Sequence, residues 1–332
     1  MKIASPMPGG NGACVLHRQL EAQLPGYCVR SYSPWWTLLP ICLPWFARGR
    51  QLDLIHTELN YACFSKRPGL PLVATAHGYS LDAFLAPYSS PLQRLHYRTD
   101  LRWFLNISLA MADRVTAVSQ YIADKLQPHL KRPTDIQVIY NGIDERRFQP
   151  TSASPHKKRP FRILFCGKPT RKKGADMIVP LANRLGADFE IRHVGGGALN
   201  AGAVGSGRVV AIGVVPYARM HELYCSVDAL FIPSVREGCP LAVLEAMACG
   251  LPVVGNDCSG IPELVKGGEG GFLCEIGQIE QYAAAFERLL DDPQRCRSMG
   301  EFNRARVEER FTLARMVDQY RCLFESVRQA GA

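Results

Sequence analysis

The sequence predicts an α/β protein of two Rossmann-like domains, each built on a parallel β-sheet. Its 332 residues are enough for about two domains of ordinary size. Short apolar runs typical of buried strands alternate with amphipathic helical patterns, and this alternation occurs twice. A polar, proline-bounded segment at residues 151–160 lies between the two series and is the predicted linker. We therefore predict a first domain over residues 1–150 and a second domain from residue 161.

Five strand-like runs define the first domain. They are expected at residues 2–5, 52–56, 72–76, 114–118 and 136–140. A glycine-rich turn containing Gly9, Gly10 and Gly12 follows the first run, and an amphipathic helix pattern follows the turn. Residues 90–112 have a helical pattern in which arginines recur at a spacing of four (Arg94, Arg98, Arg102).

The second domain repeats the alternation. Strands are expected at residues 161–165, 189–194, 209–212, 229–232 and 252–254. Strands separated by helices imply parallel sheets with right-handed crossovers, whose ligands bind beyond the carboxyl ends of the strands. The loops that follow these strands, facing a cleft between two such domains, are therefore the expected place for the chemistry.

The net charge of +9 indicates an anionic partner, and +6 of it lies in residues 1–155. Basic and aromatic residues do not interleave as a base-stacking surface requires, so nucleic acid is disfavoured. The longest apolar stretch, residues 34–46, contains three prolines and is too short to span a bilayer. It indicates either a buried loop or helix, or an anchor at a membrane surface.

Twelve cysteines are scattered along the chain without a C-x-x-C pair or the histidine spacing of a zinc site. The first residues have no apolar core of a signal peptide. We therefore expect free thiols and a cytoplasmic location.

Residues 236–250 carry the sharpest signal for a binding site. Pro240 suits the first position of a helix and Gly250 the position just past its end. The N–H groups at such a helix start would bind a diphosphate. Glu237 precedes the helix, and Glu245 lies inside it among apolar residues, where a carboxylate needs a partner. That partner could be a ribose diol or a structural arginine.

A basic loop follows the first strand of the second domain. It runs from Gly167 to Gly174 and contains four cations (Lys168, Arg171, Lys172, Lys173). Such runs are often solvated turns, but the position at a strand end favours a diphosphate site. Two cations and helix amides can neutralise a diphosphate leaving group without a metal, and the sequence has no Asp-x-Asp metal clamp.

Taken together, these motifs resemble the retaining GT-B-fold glycosyltransferases of glycosyltransferase family 4, from residue 1 to about residue 320. The resemblance rests on E-x7-E (Glu237, Glu245) within EG-x-P-x4-EAMA-x-G-x-PVV, Gly167-Lys168 with Lys173-Gly174, Asn141-Gly142-Ile143-Asp144 with Phe148 and Pro150, Asp113 with Ser119, and Gly260-Ile261-Pro262-Glu263. It implies a second domain over residues 161–305 and a final helix within 306–332 that returns to the first domain. Lys168 stands where the family most often has arginine, which keeps the charge but loses bidentate geometry.

The resemblance assigns the donor site to the second domain. Lys168 and Lys173 would hold the nucleotide diphosphate, and Glu245 would bind the ribose hydroxyls. Glu237 would bind hydroxyls of the donor sugar. Backbone N–H groups of the residues that follow Glu237 would assist (Gly238, Cys239, Leu241).

In the first domain, His77 matches a histidine that approaches the donor sugar, although a core histidine is the alternative. Gly10 and Gly12, with Gly9, match a loop that lets the backbone approach the donor phosphate. Glu237, His77 and Lys173 are the predicted catalytic set.

The implied reaction is retaining transfer of a hexose from a nucleoside-diphosphate sugar to a saccharide or lipid-linked saccharide, in cell-surface polysaccharide or lipopolysaccharide synthesis. No metal or other cofactor is expected. The acceptor would contact the basic first domain. Contact with an anionic membrane is indicated by a group of aromatic and basic residues (Trp35, Trp36, Trp45, Arg48) and by the arginine helix. That membrane would be the cytoplasmic face of the inner membrane. Core packing of these residues is the alternative.

Two other functions fit the same fold. A nucleotide-sugar epimerase would convert its substrate without any acceptor. A non-catalytic partner subunit would keep the fold but has no physical reason to keep Glu237, Glu245, Lys168, Lys173 and His77 together.

Overall fold

The computed structural model describes residues 1–10, 12–49, 51–130, 136–151, 160–197 and 208–330. The chain divides into two compact units, the first formed by Met1–Gly142 with Leu313–Ala332 and the second by Ile143–Thr312. The first stretch of the chain thus leaves its unit after Gly142, before the predicted boundary at residue 150. Most of the predicted linker, residues 152–159, lies outside the described residues.

The first unit contains a six-stranded parallel sheet in the order β2-β1-β3-β4-β5-β6. Its strands are β1 (Ile3–Pro8), β2 (Tyr27–Tyr32), β3 (Leu54–Glu58), β4 (Leu72–Ala76), β5 (Arg114–Ala117) and β6 (Gln137–Val138). Its α-helices up to residue 142 are α1 (Gly12–Gln23), α2 (Pro91–Arg98), α3 (Asp100–Met111) and α4 (Gln120–Leu126). The five predicted strands are present, whereas β2 was not predicted. It is an edge strand whose residues alternate between buried and exposed, so it lacks the continuous apolar run of a central strand.

The single helix predicted over residues 90–112 is two helices. The chain breaks at Thr99, which has φ −107° and ψ −98° and ends α2. Ser90 starts α2 with a capping box to Gln93, where each side chain bonds the other's backbone N–H.

The apolar stretch at residues 34–46 forms two short 3₁₀ helices, Pro34–Leu38 and Pro40–Ala47. Of its side chains, Leu43 is buried, but Trp35 is 78% and Trp45 69% exposed. Burial, one of the two alternatives for this stretch, is therefore wrong for these tryptophans.

The second unit also has a six-stranded parallel sheet, in the order β12-β11-β10-β7-β8-β9. The strands are β7 (Phe161–Cys166), β8 (Phe189–Val194), β9 (Arg208–Gly213), β10 (Ala229–Ile232), β11 (Val253–Asn256) and β12 (Gly271–Cys274). The helices are α5 (Ile178–Leu185), α6 (Met220–Tyr224), α7 (Leu241–Ala248), α8 (Ile261–Leu264), α9 (Ile279–Asp291) and α10 (Pro293–Arg310). The predicted α/β class with two parallel sheets is confirmed.

The last helix, α11 (Leu313–Ala330), belongs to the first unit. Its buried residues Met316, Tyr320 and Phe324 pack with Leu16 and Leu20 of α1 in one core cluster. The predicted range 306–332 included the end of α10, which lies in the second unit.

Candidate functional site

The predicted site residues of the second unit lie in loops at the carboxyl ends of neighbouring strands or, for Leu241 and Glu245, in the helix α7 that follows one of these loops. β7 and β10 pair in parallel register, so the loops after them start side by side. The loop after β7 carries Lys168 and Lys173, and the loop after β10 carries Glu237 and leads into α7. The parallel topology therefore brings together segments that are far apart in sequence.

Lys173 and Glu237 form an ion pair in which the Nζ–Oε1 distance is 2.6 Å. The Lys173 side chain is 35% exposed and the Glu237 side chain 11%. A lysine ammonium has three N–H groups and a carboxylate has two oxygens. Each partner therefore keeps hydrogen-bonding capacity for a ligand while it positions the other.

Two glycines let the backbone of this site pack closely. A Cβ on Gly260 would collide with the carbonyl oxygen of Gly238, and Gly260 N donates to the carbonyl oxygen of Glu237 (3.0 Å). Ser259 Oγ accepts from Glu237 N at 3.0 Å. Gly174, with φ +75°, approaches Pro233 so closely that a Cβ would meet the carbonyl oxygen of Pro233. The Gly260-Ile261-Pro262-Glu263 motif thus supports the loop that carries Glu237.

Glu245 is buried inside α7 and accepts a hydrogen bond from the Tyr224 hydroxyl at 2.7 Å. Burial raises the pKa of Glu245 to about 7, although the Tyr224 hydrogen bond and the charge of Arg147 act in the opposite direction. Among the described residues, Glu245 makes no ion pair with an arginine, which was the structural alternative. No sequence motif marks Tyr224, which ends a five-residue helix.

Helix α7 begins at Leu241, with Pro240 at the N-cap rather than at the predicted first helical position. Proline offers no side-chain acceptor, so the first turn has no side-chain cap. Gly238 and Leu241 are half-buried and Cys239 is buried. Gly250 has φ +72° just past the C-cap, as predicted.

Lys168 is not part of the Lys173–Glu237 pair. Its side chain is exposed and makes no ion pair with any residue in the described ranges, while its carbonyl oxygen accepts from Thr170 N at 2.8 Å. A ligand would be needed to give this ammonium a partner.

In the first unit, His77 directly follows β4 and is half-buried. Its Nε2 lies 3.1 Å from Nε2 of His17. Burial lowers the pKa of His77 to about 4, so the ring is neutral at pH 7. His77 is thus suited to hydrogen bonding rather than to carrying a positive charge.

Behind His77 lies a buried polar network. His17 Nδ1 contacts Ser5 Oγ and Tyr27 Oη, both at 2.7 Å, and Tyr27 Oη contacts His56 Nδ1 at 2.6 Å. The rings of His17 and His56 stack with their centroids 4.4 Å apart, and burial lowers the pKa of both well below the usual value. Because its members come from separate strands and α1, no sequence motif predicts this network.

The glycine turn follows β1. Gly10 has φ +78°, and Gly12 is the first residue of α1. Gly9 N donates to the carbonyl oxygen of Tyr32 at 2.8 Å. Asn11 lies outside the described residues.

Within the described part of the chain, one group of side chains could hold a metal ion. His221, Cys225 and Cys249 bring their donor atoms within 4.8 Å of one another. The thiol of Cys249 and the ring of His221 lower the pKa of Cys225. Nitrogen and thiolate ligands suit zinc, and a closed tetrahedral site would need one more ligand. No sequence motif marks this group, because Cys249 is the C-cap residue of α7 and only His221 and Cys225 share the i, i+4 spacing.

No helix within the described ranges is both long enough and apolar enough to cross a membrane.

Two family models match the chain, one in each half. The model described as Glycosyltransferase Family 4 matches residues 5–147, and Glycosyl transferases group 1 matches residues 160–292. N-acetyl-alpha-D-glucosaminyl L-malate synthase of Bacillus anthracis is 28% identical over an alignment 330 residues long. The match covers 92% of this chain and 83% of that protein.

Solved structures match nearly the full length of the chain. Sucrose-phosphate synthase from Thermosynechococcus elongatus matches with a TM-score of 0.80 at 18% identity, covering 99% of this chain and all of that one. The Anabaena protein HepE, in complex with UDP and glucose, matches with a TM-score of 0.79 at 20% identity, covering 98% of this chain and all of that one. These similarities confirm the GT-B fold.

Proposed function

Because the chain belongs to glycosyltransferase family 4, with the GT-B fold, we propose that it is a retaining, metal-independent hexosyltransferase that uses a nucleoside-diphosphate sugar. The observation that carries this proposal is the Lys173–Glu237 ion pair beside the uncapped start of α7. It combines a cation for a phosphate, a carboxylate for sugar hydroxyls and backbone N–H donors in one place.

Each residue has a part that follows from its chemistry. Lys173 and Lys168 neutralise the diphosphate, which gains negative charge as the bond to the sugar breaks. Glu237 accepts from hydroxyls of the donor sugar through the oxygen that Lys173 leaves available. Glu245 accepts from the ribose hydroxyls, and Tyr224 orients it. N–H groups of Gly238, Cys239 and Leu241 complete the diphosphate site.

In the reaction we propose, the acceptor hydroxyl attacks the anomeric carbon on the face from which the nucleoside diphosphate leaves. The new C–O bond forms as the bond to the diphosphate breaks, and a phosphate oxygen takes the hydroxyl proton. No protein group has to act as the base, which agrees with a neutral His77 that only donates or accepts a hydrogen bond. Gly10 and Gly12 leave the backbone after β1 open to the donor phosphate.

The acceptor is proposed to be a saccharide or lipid-linked saccharide used in cell-surface polysaccharide or lipopolysaccharide synthesis. It would contact the first unit, which carries most of the excess positive charge.

A screen of UDP-, GDP-, ADP- and CMP-sugars tests the proposal, beginning with UDP-glucose because HepE was crystallised with UDP and glucose. We expect one donor to raise the thermal midpoint, since ligand bound only to the folded state stabilises it. With that donor, product NMR should show the anomeric configuration of the donor, and a chelator should leave turnover unchanged. An inverted product would refute the mechanism, and so would a rate that falls with the chelator and is restored by added Mg²⁺ or Mn²⁺. Conversion of the nucleotide sugar without acceptor would instead indicate an epimerase.

We also propose that the first unit contacts an anionic membrane through an exposed aromatic surface. This surface consists of Trp35, Trp36, Leu38, Ile41 and Trp45 with Arg48. The guanidinium of Arg48 lies 5.1 Å from the ring centre of Trp45. Large exposed apolar side chains beside a cation are typical of proteins that insert side chains at the lipid headgroup level.

Vesicle binding tests this contact. All four tryptophans of the chain lie in the first unit, so their emission reports on this unit alone. Vesicles containing phosphatidylglycerol should shift the emission to shorter wavelength and sediment with the protein at low salt. W35A/W45A should lose both effects, and Trp103→Ala, outside the surface, should keep sedimentation. Absence of binding by the wild-type protein would eliminate the proposal.

A further inference from the structure

A cavity of about 480 Å³ lies entirely within the first unit. Its wall begins at Tyr79, two residues after His77, and continues through the loop that follows β4. The other walls come from α2, the start of α3 and His129. The cavity wall therefore starts two residues after His77, the residue predicted to approach the donor sugar.

Three arginines line this cavity. Arg94 and Arg98 are one turn apart on α2, and Arg102 follows on α3 after the break at Thr99. No described residue forms an ion pair or side-chain hydrogen bond with any of these three guanidinium groups. By contrast, Arg184 on α5 bonds two glutamates at 2.7 and 2.9 Å. Three like charges without counter-charges repel one another unless an anion joins them.

The one carboxylate in the lining does not neutralise them. Asp82 accepts a hydrogen bond from the Tyr121 hydroxyl at 2.9 Å and lies 3.5 Å from the ammonium of Lys125. The negative charge of Asp82 is thus engaged on the side of α4. The cavity keeps a net positive charge.

Next to the arginines, His129 is held neutral. Its Nδ1 donates to Asn106 Oδ1 at 3.0 Å, so its Nε2 accepts from the Tyr79 hydroxyl at 2.6 Å. Burial, and then the charge of Arg102, lower the pKa of His129. The wall therefore joins a polar tyrosine–histidine pair, suited to hydroxyl groups, to a strongly cationic surface.

We propose that this cavity binds an oxyanion group, a phosphate or carboxylate, carried by the acceptor. This inference rests on the proposed transferase function and names the class of acceptor, a negatively charged one. Guanidinium groups bind such anions through paired N–H donors, which fits a cluster of arginines better than lysines would. The anion can belong to a soluble acceptor or to a lipid headgroup, and the same chemistry serves both.

The test uses the full-length protein and inorganic phosphate at low ionic strength. Calorimetry should show saturable phosphate binding that weakens on the order of 10-fold in Arg98→Gln and is lost in R94Q/R98Q/R102Q. Arg114→Gln is the matched control, because Arg114 is an exposed arginine of the same unit outside the cavity. A second arm compares vesicles of phosphatidylglycerol and phosphatidylcholine with the same variants. Arg98→Gln keeps the test decisive if the triple variant does not fold.

Loss of phosphate binding in the arginine variants, with vesicle binding unchanged, assigns the site to a soluble acceptor. Arginine-dependent binding of phosphatidylglycerol vesicles alone assigns it to a headgroup. If neither phosphate nor vesicle binding changes in the variants, the inference is wrong. Donor-induced thermal stabilisation is measured in parallel: if it persists in that case, the transferase proposal stands and only the anionic acceptor fails.

Discussion

The two units differ in whether the charged side chains of their proposed binding sites are paired. In the second unit, Lys173 is paired with Glu237, and Glu245 is held by Tyr224. In the first unit, Arg94, Arg98 and Arg102 line a cavity without ion pairs to the described residues. Paired groups are positioned before a ligand arrives, so the proposed donor site is preorganised. The arginine cavity lacks a counter-charge until a ligand binds. Its affinity should therefore depend strongly on the charge of the ligand.

The largest effect is expected from breaking the ion pair of the second unit. Glu237→Ala and Lys173→Ala should each lower turnover by ~10²–10³, because each removes a group that acts on the donor in the transition state. The thermal midpoint should change little, since both side chains are partly exposed. Steady-state kinetics with the identified donor measures this.

Lys266→Ala is the control, because Lys266 forms an exposed ion pair with Glu269 elsewhere in the same unit. If Glu237→Ala and Lys173→Ala both keep wild-type turnover, these residues have no catalytic part.

A smaller loss is expected from Gly260→Ala. The added Cβ would collide with the carbonyl oxygen of Gly238 and displace the loop that carries Glu237. A misplacement of about 1 Å can cost up to about 100-fold in rate, so we expect a loss of roughly 10- to 100-fold. In Gly267→Ala the new methyl group meets only ordinary contacts with Leu273, and turnover should be retained. Equal rates in the two variants would show that the close approach has no functional importance.

Donor affinity should depend on pH through the second unit. Ribose hydroxyls bind the ionised form of Glu245, whose pKa is about 7 in the free protein. Affinity should therefore rise about 10-fold from pH 6 to pH 8, as the bound state favours loss of the proton. Calorimetry at several pH values measures this.

Variants separate the two units in this experiment. Glu245→Gln should remove the pH dependence, and His77→Asn should leave it, because the pKa of His77, about 4, lies below this range. If the pH dependence vanishes in His77→Asn, the titrating group lies in the first unit, and its assignment to Glu245 is wrong.

The smallest effect concerns stability. Burial raises the pKa of Glu245 from its usual 4.5 to about 7 in the folded protein, so the unfolded chain loses this proton at lower pH. Stability is therefore lost as the pH rises from about 4.5 through 7, by up to about 3 kcal/mol at 1.36 kcal/mol per unit. Glu245→Gln, which cannot ionise, should raise the thermal midpoint by several degrees at pH 8 and hardly at pH 4.5. Tyr224→Phe should not reproduce this gain. Equal midpoints of wild type and Glu245→Gln at pH 8 would contradict the raised pKa.

The sequence predicted the fold class and most strands, because buried parallel strands are continuous apolar runs. It also singled out Lys173 and Glu237, since both belong to short local motifs. It missed Tyr224, and it missed the His17–Tyr27–His56 network, because these residues meet only through tertiary packing. It left open whether Trp35 and Trp45 are buried or exposed, because an apolar composition does not distinguish a core from an exposed surface. The break at Thr99 was hidden by a helical pattern that continues on both sides.

Hydrogen exchange of the full-length protein, measured by mass spectrometry, most directly tests the claim that the donor binds the second unit and an anion binds the first. The identified nucleotide sugar should protect peptides that cover residues 167–174 and 236–248. Inorganic phosphate should protect peptides that cover residues 79–102. Glu237→Ala and Lys173→Ala should weaken only the first effect, and R94Q/R98Q/R102Q only the second. Protection by the nucleotide sugar confined to residues 1–142 would contradict the assignment of the donor site to the second unit.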